Sequence, residues 1–74
     1  MMYDDPWRDA RQAIEGCEQF VAAYSGSMDE RENLRMILVN ASGMEAQLRS
    51  AGTPMATELA NRCSSLQSRI RGLL

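Results

Sequence analysis

Apolar residues recur along this chain at alternating steps of three and four in three separate stretches, the spacing that lays side chains on one stripe of an α-helix. The middle stretch is Leu34, Ile37, Ala41, Met44, Leu48 and Ala51. It is introduced by Ser27-Met28-Asp29-Glu30, a capping box in which the Ser hydroxyl and the Glu carboxylate each satisfy a backbone N–H left unpaired at a helix start. The first stretch is Trp7, Ala10, Ile14, Cys17, Val21 and Tyr24, widened by Ala13 and Phe20. Asp5-Pro6 is its cap, Asp4, Asp5 and Asp9 suit the positive end of its dipole, and Ser25-Gly26 ends it, Gly26 taking the left-handed conformation. The third stretch is Met55, Leu59, Cys63, Leu66, Ile70 and Leu73, started by Thr53-Pro54 directly after Gly52 closes the second. Glu58 and Arg62 stand four apart on its edge, placed to pair.

The pattern predicts an all-α fold: a small antiparallel three-helix bundle over about 5–25, 28–51 and 54–73, one domain spanning 1–74. Steps of three and four favour nearly aligned, coiled-coil-like packing, and short loops favour antiparallel neighbours. The very tight link Gly52-Thr53 keeps open a second arrangement, in which one helix leaves the bundle and packs on another copy as a helical homodimer.

The middle helix carries a second stripe. Met36 and Val39 lie roughly 140° to 160° around the helix from Leu34, and Met36, Val39, Gly43, Ala46 and Ser50 follow one another at steps of three and four on that far side. Met is an adaptable side chain, and an interior Gly, unfavourable by about 1 kcal/mol relative to Ala, permits close backbone approach. Either these are scattered surface residues, or the third helix wraps further round, or the stripe binds a partner.

Composition narrows the function. A chain of 74 residues buries only about 60% of its unfolded surface, so a partner or self-association is a common source of added stability. Its 45% hydrophobic and 24% charged residues suit a folded helical protein. All eight basic residues are Arg, which fits a GC-rich coding genome. The net charge of −2 opposes nucleic acid at long range, although residues 53–74 hold three Arg against one acid. Met1-Met2-Tyr3-Asp4-Asp5 shows no positive leader, and no apolar run reaches 18 residues, so a cytoplasmic, soluble protein is expected. The sequon Asn40-Ala41-Ser42 falls mid-helix and is discounted on that ground.

Reactive chemistry is sparse. The chain has no His and no Lys, which removes the commonest general base, metal ligand and Schiff-base former. Cys17 and Cys63 fall on apolar stripes and read as small buried reduced hydrophobes, with a disulfide between first and third helices as the other geometry. Asp4, Asp5 and Asp9 read as helix caps rather than cation ligands, and Glu15 and Glu18 as a solvated face. No cofactor, no metal, no small-molecule substrate and no enzymatic activity are expected.

One segment has a familiar outline. Ala56 to Leu74, ATELANRCSSLQSRIRGLL, loosely resembles the helix-turn-helix of small repressors, in which E-L-A precedes a turn and a recognition helix bearing Ser, Gln and Arg. That resemblance implies DNA contacts at Gln67, Arg69 and Arg71. It covers a quarter of the chain, lacks the turn glycine, and is crossed by the unbroken stripe Leu59, Cys63, Leu66, Ile70, which predicts one helix. The leading expectation is a small non-enzymatic protein–protein interaction module, an adaptor, chaperone-like protein or inhibitory regulator. It would bind a partner or itself through Met36, Val39, Gly43, Ala46 and Ser50. A small DNA-binding regulator is the alternative.

Overall fold

The computed structural model describes residues 7–74. Among them are three helices and no strand: α1 (Arg8–Ala22), α2 (Met28–Ala51) and α3 (Pro54–Leu73). They form the small three-helix bundle that the spacing predicts. The cap expected at Asp5-Pro6 lies outside the described residues.

Two helix starts follow from local chemistry. Thr53 Oγ1 accepts from the Ala56 N–H at 3.1 Å, and Pro54 takes the first helical position of α3. Ser27 Oγ accepts from the Glu30 N–H at 3.2 Å at the start of α2. Gly52, at φ 73°, closes α2 in the left-handed region where a side chain is strained.

The other half of the capping box differs from expectation. The Glu30 carboxylate accepts from the Ser27 hydroxyl at 2.8 Å, and it also takes the Ser25 hydroxyl and, at 3.2 Å, the Ser25 N–H. It therefore reaches past the cap residue into the linker. This explains why α1 ends at Ala22 and not at residue 25: Ser25 is held by the start of α2. The α1 terminus is satisfied within itself, the Ala23 N–H donating to the carbonyls of Gln19 and Phe20, and the Tyr24 N–H to that of Val21. Gly26, at φ 96°, turns the linker just ahead of Ser27 and does not close α1.

The core has two clusters stacked along the bundle, each drawing on all three helices. Ile14, Leu48, Ala56, Leu59, Ala60 and Cys63 form one, flanked by Trp7, Ala10 and Met44. Val21, Leu34, Ala41, Leu66 and Ile70 form the other, flanked by Cys17, Phe20, Tyr24, Ile37 and Leu38. Most of the pairing is between α2 and α3, α1 lies mainly against α3, and α1 and α2 touch least. α3 is accordingly the most buried helix, because it has a neighbour on two sides.

The stripe predicted for α3 is shifted as a result. Met55 and Leu73 are each 41% exposed, whereas Ala56, Ala60 and Gln67 are buried. Ala13 and Ala51 are exposed too and add nothing to the core. Small Ala56 and Ala60 let neighbouring helices come close, a use that a search for large apolar residues does not register.

Candidate functional site

α2 faces the core through Leu34, Ala41 and Leu48, buried, with Ile37 and Met44 half-buried. Its opposite face is open. Met36 is 61% exposed and Val39 70%, and Gly43, Ala46 and Ser50 are exposed as well. A Cβ built on Gly43 would meet no side chain or other helix within 4 Å. The chain's own third helix does not cover this stripe, which disposes of that reading of Met36 and Val39. Among the described residues, the stripe borders a shallow hollow of about 460 Å³ lined by Glu32, Arg35, Met36, Val39 and Asn40. All five belong to α2, so among the described residues no second element walls the hollow in and none encloses a small ligand there. Ser50 turns its hydroxyl back on its own helix, donating to the Gln47 carbonyl at 2.8 Å, so it offers the face a small and satisfied side chain.

The polar groups between helices serve the fold. Arg62 does not pair with Glu58 on its own helix; it forks onto Glu18 of α1, Nη2 to Oε1 at 2.6 Å and Nε to Oε2 at 3.3 Å. Glu18 beside it is the first cause of a raised Arg62 pKa. Glu18 is thus a bridge between helices rather than part of a wholly solvated face. On the other flank of α3, Glu45 of α2 accepts from Arg49 at 2.7 Å and from Gln67 at 2.7 Å. The Arg49 and Gln67 bonds, in that order, hold the Glu45 carboxyl below the ordinary carboxylate range. Arg49 also donates to Asn61 at 3.4 Å.

The residues implied by the helix-turn-helix resemblance are not brought together on an outward face. α3 runs from Pro54 to Leu73 without a turn. Gln67 is 5% exposed and its amide belongs to Glu45, while Arg69 and Arg71 are exposed. A recognition helix needs its reading side chains on the solvent side, and Gln67 points the other way.

Comparison of this chain with family models, with curated proteins and with solved structures gives no match. Cys63 is buried and Cys17 half-buried, both free, and burial is the first cause raising the pKa of each thiol. Fewer thiolates at neutral pH make poorer nucleophiles. Among the described residues no three His, Cys, Asp or Glu side chains group to hold a metal; Asp4 and Asp5 lie outside them. No described helix is long and apolar enough to cross a membrane. The signal for burial of Gln67 and for the Glu18–Arg62 bridge was not legible in spacing, since both depend on how far each helix is rotated about its axis.

Proposed function

We propose that this chain is a small helical protein–protein interaction module, acting as an adaptor, chaperone-like protein or inhibitory regulator and not as an enzyme. The outer face of α2 is its binding surface, with Met36 and Val39 as the apolar anchors and Gly43, Ala46 and Ser50 as the flat part on which a partner backbone approaches closely. The single observation that carries this reading is the exposure of Met36 and Val39 on a helix whose core-facing side is already complete. An apolar stripe left in water by its own chain is a feature of docking helices. Cys63 is buried and Cys17 half-buried, the setting of reduced structural thiols, and we assign the protein to the cytoplasm.

The test uses the full chain, tagged, in extract from its own host. The wild type should retain a defined species that Met36→Glu releases, with circular dichroism unchanged between the two. A binder indifferent to Met36→Glu, or no binder together with a monomer at every concentration, refutes the assignment.

A further inference from the structure

We propose that the occupant of the outer face of α2 is a second copy of this chain, laid antiparallel across a two-fold axis between Val39 and Gly43. The inference deepens the proposed function and rests on it. Glu32, Met36, Val39, Gly43, Ala46 and Ser50 are spaced 4-3-4-3-4, the seam spacing of a left-handed helix pair. All six are exposed. The seam is graded: its N-terminal half carries the large side chains and its C-terminal half the small ones. Antiparallel pairing about that axis seats Met36 on Ala46 of the second copy, Val39 on Gly43, and Glu32 on Ser50. Large side chains meet small ones at every layer, as interdigitated packing needs. The open space above Gly43 is where Val39 of the second copy fits.

Charge excludes the parallel direction. A parallel pair would stack Asp29 on Asp29 and Glu32 on Glu32, and would leave Gly43 facing Gly43 across a gap. Only the antiparallel arrangement avoids both.

The seam from Glu32 to Ser50 is about 27 Å long at 1.5 Å per residue. One helix face of that length falls short of the about 800 Å² per partner of a standard interface, so the dimer is reversible and depends on concentration.

Sedimentation equilibrium on the full chain, from micromolar to millimolar, should show the mean mass climbing from 8.3 kDa towards twice that value. Gly43→Leu fills the space for Val39 of the second copy and should weaken association at least tenfold with helicity intact. Register is read by crosslinking: Met36→Cys mixed with Ala46→Cys should form a disulfide-linked heterodimer on mild oxidation, and neither protein alone should do so efficiently. A folded monomer at every concentration, undiminished association of Gly43→Leu, or efficient self-crosslinking of Met36→Cys alone each overturns the antiparallel pair. If the chain stays monomeric while Met36→Glu still releases a different bound protein, self-pairing fails and the interaction module stands.

Discussion

Leu48→Ala probes the packing on which the whole arrangement depends. Leu48 is buried in the cluster of Ile14, Ala56, Leu59, Ala60 and Cys63. Three of those five neighbours are small and have almost no side chain to swing into a vacated space, so relaxation is limited and most of the cavity persists. Truncating a leucine in such a site costs about 3 to 5 kcal/mol, the upper part of the observed range. A chain of 74 residues has a total stability of about 4 to 11 kcal/mol, so the substitution removes about a quarter of it or more. At about 4 to 8 °C per kcal/mol for a domain of this size, the melting temperature should fall by about 12 °C at the least. Urea unfolding followed by helical circular dichroism measures this directly. The fluorescence of Trp7, the single tryptophan, packed against the same cluster, gives a second probe. The two transitions should coincide, with the midpoint moved and the slope unchanged. Met36→Ala is the control: an exposed side chain on the far face of the same helix should change stability by no more than about 0.5 kcal/mol. A loss below about 1 kcal/mol for Leu48→Ala, or equal losses for the two variants, would show that the faces of α2 are assigned wrongly.

Three further outcomes are expected. A double-mutant cycle on Glu18 and Arg62 should give a favourable coupling of up to about 1 kcal/mol, discounted because both side chains are about one-third exposed, and the cycle on Glu58 and Arg62, whose charges attract without forming an ion pair, should give a smaller one. The carboxyl of Glu30, lowered first by the Ser25 hydroxyl and then by that of Ser27, and that of Glu45, lowered first by Arg49, bind fewer protons folded than unfolded near the ordinary carboxylate pKa. Their contribution is complete above that range and disappears as the pH falls through the lowered folded values, so acid titration of stability should be flatter for Glu45→Gln than for the wild type. Gly43→Ala should stabilise the monomer by up to about 1 kcal/mol, since the site is helical and open, whereas Gly26→Ala should cost about 1 kcal/mol at φ 96°; thermal melts compare the two, and a stabilised Gly26→Ala would refute the linker geometry.

The helix boundaries of α2 and α3 were legible in the sequence because they are set by neighbours along the chain. Ser27 with Glu30, Gly52, and Thr53 with Pro54 act within three or four residues, and periodicity placed Leu34, Ala41, Leu48, Leu59, Cys63, Leu66 and Ile70 in the core. The outer stripe of α2 was equally legible, being the complement of the buried one. The end of α1 was not, because it is decided by the Glu30 carboxylate holding Ser25 across the linker.

What only the tertiary structure decided is the rank and rotation of the helices. α3, and not α2, is the centre of the packing, Gln67 faces inward to Glu45, and Arg62 turns from Glu58 to Glu18 on another helix. Each depends on the angle a helix adopts about its axis, which follows from how small residues such as Ala56 and Ala60 let neighbours approach. Local spacing names the stripe a helix buries; the width of that stripe, and what its edges touch, is set by contacts between residues distant in the chain.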